Sequence, residues 1–384
     1  MLRAAILTLL MLLCAATQAA VFVVNTQIDS DDGNCTSGHC SLREAINAAN
    51  AGLRPLGDTI NFSIAPLAGP QIPIDVILGP LPTITSRLTI NGYSEPGTSV
   101  NTATDLSNAV LRLRLNGGNF GANTPALAVC ANNVTIKGLA IASTFGGGIV
   151  VGRDNSGAAC PSPVTGARIV GNFLGLQANG TSGGSNNQFA VKFVAAEGTI
   201  GEVALADRNI IAGSGSLIII EQGATTVVNN VIGADKIGRD ASSAAQGILL
   251  GAGAANSIIG TADAPNLIVF NVRGIATTAA GVTPATGNGN RFNFNHFGSN
   301  DQLGIDLNAD GVTNNDLNDA DNGPNNLQNF PVISSVARIA GGVHVNGSLD
   351  VPPSAPAIYQ IGVYASVECD AFTNHGEGEM LLGV

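Results

Sequence analysis

Tryptophan is absent from this chain of 384 residues, and tyrosine occurs only three times. So thin a supply of aromatics argues against a typical enzyme core and against an aromatic platform for sugars. Charge is also scarce: Asp, Glu, Lys and Arg make up 11% of the residues, while 45% are hydrophobic, too apolar for disorder. Basic residues are the scarcer kind, 16 against 27 acidic, and a net charge of −11 argues against nucleic acid or an anionic membrane as partner. Beyond the N-terminus there is no run of about eighteen apolar residues, so no membrane span is expected. The four histidines, His39, His296, His344 and His375, are scattered over different segments and fit surface or turn positions better than a ligand set. What abounds is glycine, 49 residues, alongside small and β-branched side chains. The length allows two or three domains or one long repeat array, and the composition favours the array.

Met1-Leu2-Arg3, an apolar stretch over residues 4–13 and an alanine-rich stretch over 14–20 read as a secretory signal peptide spanning 1–20. A lipid anchor on Cys14 is rejected, because Leu13 stands where a small residue is needed. The expected location is therefore secreted or at the cell surface, where disulfides are permitted. Cys35 and Cys40, flanking Thr36-Ser37-Gly38-His39, are the best pair. Zinc on Cys35, His39 and Cys40 is the rival, but the ligand count and spacing fit no standard site. Cys130 and Cys160 are candidates for pairing across neighbouring coils, which the sequence leaves open, and Cys369 is left odd.

Residues 40–50 carry the one clear helix. Ser41 and Glu44 form a capping box, and Leu42, Ala45, Ile46 and Ala49 follow as a short apolar stripe. Asn50 and Gly52 supply the stop. One amphipathic helix ahead of a long β-region reads as a lid over an exposed sheet end. The intact string Cys40-Ser41-Leu42-Arg43-Glu44-Ala45-Ile46-Asn47-Ala48-Ala49-Asn50, with Cys35 upstream, resembles the CSLREA domain, a short N-terminal module of secreted bacterial proteins. The resemblance implies a cap over residues 21–57 and an exported protein; it implies no reaction.

The body repeats. Gly171-Asn172-Phe173-Leu174-Gly175 recurs as Asn229-Asn230-Val231-Ile232-Gly233, an offset of 58. Two further matches, Thr199-Ile200-Gly201 with Ile258-Ile259-Gly260 and Asn209-Ile210-Ile211 with Asn266-Leu267-Ile268, follow at nearly the same offset. Short apolar runs at 189–194, 217–220, 226–231, 247–250 and 266–270 are separated by Gly, Asn, Asp and Ser. No helical period intervenes, which argues against βαβ folds and helical leucine-rich repeats. Parallel strands without helices imply a solenoid. Asn172, Asn209, Asn230, Asn266, Asn293 and Asn295 suit inward asparagine ladders at the bends. The pattern resembles the right-handed parallel β-helix of pectin-lyase-like proteins, so the expected fold class is all-β, with the helix over 58–307, a short N-terminal capping helix and a small C-terminal β-segment.

In the tail, Asp306, Asn308 and Asp310 before Gly311 match the opening half of a calcium loop, with Asn314 and Asp316 following. The twelfth position, Leu317, lacks the usual Glu, and a solvated acidic linker over 308–330 is the favoured reading. Residues 331–384 are expected to form a hairpin around Gly341-Gly342 and a strand through Tyr359, Ile361 and Val363. These are too few strands to close a sandwich, which reads as a truncated β-domain with an exposed edge.

A β-helix does not confer activity by itself. Arg168, Lys192, Asp207, Arg208, Asp235, Lys236, Arg239 and Asp240 are the charged candidates for a lyase-type site. Their densest group, residues 235–240, reads more simply as a soluble loop. The paired-Asp and Gly-His-Gly strings of polygalacturonase-like hydrolases are missing. Gly180-Thr181-Ser182-Gly183-Gly184 fits Gly-x-Ser-x-Gly only formally, without a strand-to-helix elbow. The expectation is therefore a non-catalytic exported scaffold or adhesin with no catalytic or cofactor residues, whose partner is a glycan or another surface protein. The alternative is a carbohydrate-active enzyme, with Phe173, Phe189 and Phe193 partly standing in for the missing tryptophan.

Overall fold

Ile60, Ile90, Ile136, Ile169, Ile200, Val227 and Ile259 stand in one column of parallel strands, all at 0% exposure. Side chains alternate across a strand, so a strand with one inward Ile presents its neighbours outward. Repetition of that pattern in register builds the molecule. The computed structural model describes residues 18–52, 54–64, 71–117, 120–121, 124–142, 146–181, 188–278, 287–353 and 359–384. Residues 1–17, most of the segment read as a signal peptide and including Cys14, and Ser182 to Gly184 of the formal Gly-x-Ser-x-Gly string lie outside the described residues.

Three parallel sheets of nine, eight and seven strands wrap a single core. One coil runs from Gly147–Val151 in the third sheet to Val164–Val170 in the first and Phe173–Leu174 in the second, then returns at Val191–Phe193. This is the parallel β-helix. The first sheet starts earlier than residue 58, because Val21–Val24 pairs with Asp58–Phe62. The N-terminal segment thus contributes a rung as well as a lid.

Asparagines at the bend between the first and second sheets form a continuous ladder. Asn172 Nδ2 donates to Asn209 Oδ1 at 3.3 Å, Asn209 to Asn230 at 2.8 Å, Asn230 to Asn266 at 3.0 Å and Asn266 to Asn295 at 2.9 Å. Asn293 is the exception. It lies outside the ladder and donates to Gln360 Oε1. The rungs are separated by 37, 21, 36 and 29 residues, so the repeat of 58 is two coils of unequal length.

The helix Leu42–Ala51 closes one end, with Leu42, Ala45, Ile46 and Ala49 buried in the core and the Ser41–Glu44 capping box formed. A buried ion pair that the sequence did not announce anchors it. Arg43 holds Asp29 through Nε at 2.8 Å and Nη2 at 2.9 Å, and donates to the carbonyls of Gly79 and Pro80. Burial pushes the Asp29 carboxyl up, but Arg43 and the N–H groups of Leu78 and Ile77 outweigh it and hold it below its ordinary value. Burial acts the same way on Glu44, where the N–H groups of Ser41 and Asp32 win. A carboxyl with a depressed folded pKa contributes fully above its unfolded value, about 4 for Asp and Glu, and loses that contribution as pH falls through the folded value. Urea midpoints of the wild type are therefore expected to fall more steeply below about pH 4 than those of Asp29→Asn; parallel curves would remove Asp29 from the account.

Cys35 is bonded to Cys40, and Cys130 to Cys160, while Cys369 is free and exposed. The zinc alternative is thereby excluded: His39 Nε2 sits 2.7 Å from Ser30 Oγ instead. The Cys130–Cys160 bond joins residues 30 apart in sequence. Loop-closure entropy makes it worth about 2–4 kcal/mol, and a Cys130→Ala, Cys160→Ala chain should lose that much in urea unfolding.

The tail divides in two. Val332–Ile339 and Gly342–Ser348 form an exposed antiparallel hairpin, as expected. The alternating strand through Tyr359 and Ile361 is not formed; the strand here is Val363–Ala365, paired with Met380–Gly383. Residues 377–379 instead fold back onto the last coil. Phe297 N–H donates to the Gly378 carbonyl, and Asn300, at the end of a second ladder with Asn271, donates to the Glu377 carboxylate.

Candidate functional site

The three outer faces differ. That of the second sheet is apolar, and it packs with Ala109 and Leu111 under residues 101–112. Arg208 pins that segment by donating to the carbonyls of Ala103, Thr104, Asp105 and Leu106 and to Asn229 Oδ1. The third sheet carries Ala128, Val150, Lys192, Ile219 and Leu249 in one outward register. Among the described residues only the first sheet combines a polar face with exposure to solvent along most of its length.

Its pattern is written in the strands themselves. Thr59-Ile60-Asn61, Thr89-Ile90-Asn91 and Thr135-Ile136-Lys137 bury the isoleucine and turn both neighbours outward. Pairing sets Thr59, Thr89, Thr135, Arg168, Thr199 and Thr226 side by side, one per coil at about 4.8 Å. A second outward column holds Asn61, Asn91 and Lys137, with Asn91 Nδ2 donating to Asn61 Oδ1 at 3.1 Å. Thr199 donates to Glu202. Among the described residues the hydroxyls of Thr59, Thr89, Thr135 and Thr226 have no partner.

Arg168 interrupts the column and is held by Glu202 in a two-pronged pair, both bonds at 2.6 Å. The hydrogen bond to Glu202 raises the Arg168 pKa, and the same bond lowers that of Glu202. Nearby, burial and the Glu202 charge push the Asp207 carboxyl up, and burial with Asp207 pushes the Tyr93 hydroxyl up. Tyr93 donates to the Gly171 carbonyl at 2.7 Å, so this group ties coils together. Thr59, Thr89 and Thr135 form the bed of a cleft of about 290 Å³, walled by Arg87, Asn133 and Arg168.

The other charged candidates do not converge here. Lys192 pairs with Glu221 on the third sheet, where Arg153 approaches the same carboxylate at 3.8 Å and Phe189 lies beneath the ammonium group. Asp235 accepts from the N–H groups of Ile237 and Arg239, which closes a turn, and Asp240 accepts from Ser242 N–H. Lys236 enters the same turn through its backbone, donating to the Gly180 carbonyl. Phe173, Phe189 and Phe193 are buried, which corrects their reading as sugar platforms.

The calcium-loop residues are not gathered either. Asp306, in the last strand of the third sheet, binds Arg273 Nε at 2.6 Å and accepts from Gly311 N–H. Asn308 donates to Asp310. Among the described residues no hydrogen bond brings Asn314 to them. Asp316 instead joins Asp319 and Asp321, the one close carboxylate group among the described residues, in a loop organised around Asn329. Burial, then the charges of Asp316 and Asp319, push the Asp321 carboxyl up.

The sequence reading missed the threonine column. Its signal was the recurring Thr-Ile-Asn triplet at 59 and 89. Among the described residues no helix is long and apolar enough to cross a membrane. The sequence matches no family model, and no curated protein or solved structure matches it.

Proposed function

We propose that this protein is an exported, non-catalytic β-helix scaffold, adhesin-like, that holds a glycan or another surface protein against the outer face of its first sheet. One observation carries the reading: the threonine column on a solvent-facing sheet, interrupted by Arg168, in which the hydroxyls of Thr59, Thr89, Thr135 and Thr226 are unused. Each hydroxyl both donates and accepts, so the row offers repeated contacts to a repeating partner. The signal-peptide pattern and the likeness of residues 40–50 to the CSLREA domain support export. The engagement of Arg208 and Asp235 in loop architecture supports a structural use of the charges.

A carbohydrate-active enzyme is the second reading, favoured by Lys192, Arg153 and Glu221 meeting on the third sheet. The mature protein should be assayed for release of reducing or unsaturated sugar ends from polyuronates and neutral glycans, with and without calcium. The scaffold reading expects no turnover above blank. Turnover abolished by Glu221→Gln would replace it with the enzyme.

A further inference from the structure

We infer that residues 377–379 are a strap that tightens in acid, because Glu377 stands where the second asparagine ladder takes a neutral acceptor. The rung below shows what that position accepts. Asn271 donates its N–H, at 3.1 Å, and its Nδ2, at 3.3 Å, to Asn300 Oδ1, an uncharged amide oxygen. Asn300 repeats the pattern one coil later, with its N–H 3.0 Å from Glu377 Oε1 and its Nδ2 2.6 Å from Oε2. These bonds need no charge on the acceptor. The rest of the strap is held through its backbone: Phe297 N–H donates to the Gly378 carbonyl at 3.1 Å, and His296 Nδ1 lies 3.0 Å from the Glu379 carbonyl. Gly304 admits the chain, since a Cβ there would come within 2.6 Å of the Glu377 carbonyl oxygen. Every one of these contacts falls on the last coil, so release of the strap opens the edge of His296–Gly298 and leaves the other coils paired.

The charges around Glu377 are of one sign, and it has no ion pair among the described residues. Burial pushes its carboxyl up, the Asn300 bonds pull it down, and the charges of Asp370 and Glu379 push it up again; the net displacement is upward. Asp370 stays charged: burial pushes it up as well, but the Thr373 hydroxyl and the N–H groups of Thr373 and Phe372 outweigh this and hold it below its ordinary value. Glu379 Oε1 accepts from Val367 N–H. Two other titratable groups pack against the strap. His296 engages the Glu379 carbonyl, and Tyr364 accepts from Phe294 N–H. A carboxyl raised in the docked state binds its proton more tightly there than when free. Docking is therefore strongest below the free value, about 4.3, and weakens as pH rises through the docked value. The lid at the other end, with Asp29 and Glu44 held low, responds in the opposite direction. The device sits on the second sheet and does not depend on the adhesive reading of the first.

Cys369, free and exposed in the same tail, carries the probe. A nitroxide on this thiol of the full mature chain reports tail motion by electron paramagnetic resonance between about pH 8 and about pH 5. The mobile fraction of the wild type should fall roughly threefold or more on acidification, while Glu377→Gln, permanently neutral, should stay immobile throughout. Hydrogen-exchange protection of the Phe297 and Asn300 amides, corrected for the intrinsic pH dependence of exchange, should rise in step. His296→Gln should leave the response in place. A mobile fraction that ignores pH or grows in acid would overturn the inference. So would a Glu377→Gln chain that responds like the wild type, or loss of the response in His296→Gln. If Glu377→Gln folds poorly by circular dichroism, exchange in the wild type decides alone: protection that is flat or falls in acid rules the strap out.

Discussion

A chain carrying Leu42→Asp and Ile46→Asp is expected to aggregate or fail to be secreted. Both side chains are buried against the first coil, at 2% and 0% exposure. Truncating such residues costs about 2–5 kcal/mol each, and a buried carboxylate adds desolvation to that. The sum approaches the whole stability of a domain, about 5–15 kcal/mol. Losing the lid has a further consequence, because it uncovers apolar surface and unpaired strand edges at the end of a solenoid. Light scattering and secretion yield are the readouts. A soluble, monomeric double variant with an unchanged melting temperature would show that the helix is not a cap.

Asn230→Leu is expected to lower the unfolding free energy by about 3–5 kcal/mol, from the summed cost of unsatisfied polar groups at about 1–3 kcal/mol each. Asn230 is the middle rung of the ladder and is 1% exposed. Its Nδ2 serves the carbonyls of Ile200 and Val228 and Asn266 Oδ1, and its Oδ1 receives Asn209 Nδ2. Leucine, of similar size, fills the space but leaves those carbonyls and the Asn209 amide without this partner. Asn293→Leu is the control, since that side chain reaches outward to Gln360. Urea unfolding of the pair measures the difference. Equal, small losses would mean that the ladder contributes little.

The cap and the ladder were legible because their signals are local. Ser41 and Glu44 sit three residues apart, and the asparagines recur beside apolar runs. Arg43 carries no such signal: its partner Asp29 is fourteen residues away and meets it only after the lid has folded onto the first coil. The coil length was hidden for a related reason. Successive coils of 37, 21 and 36 residues leave only the sum of a long and a short coil as a repeat. The threonine column is less visible still, because Thr59, Thr89, Thr135, Thr199 and Thr226 have no constant spacing; strand register alone aligns them. The calcium candidates show how spacing and geometry can part. Alternate oxygens in 306–316 describe a strand end and turns as well as a loop, and Asp306 had a closer cation in Arg273.

The most direct test of the account is attachment of the labelled mature chain to washed bacterial cells, compared with a Thr89→Val, Thr135→Val, Thr226→Val variant. Valine keeps the shape and strand preference of threonine and removes only the hydroxyl. Circular dichroism and melting should therefore match the wild type. The account predicts that attachment falls at least tenfold while the fold is unchanged; attachment equal to the wild type would contradict it.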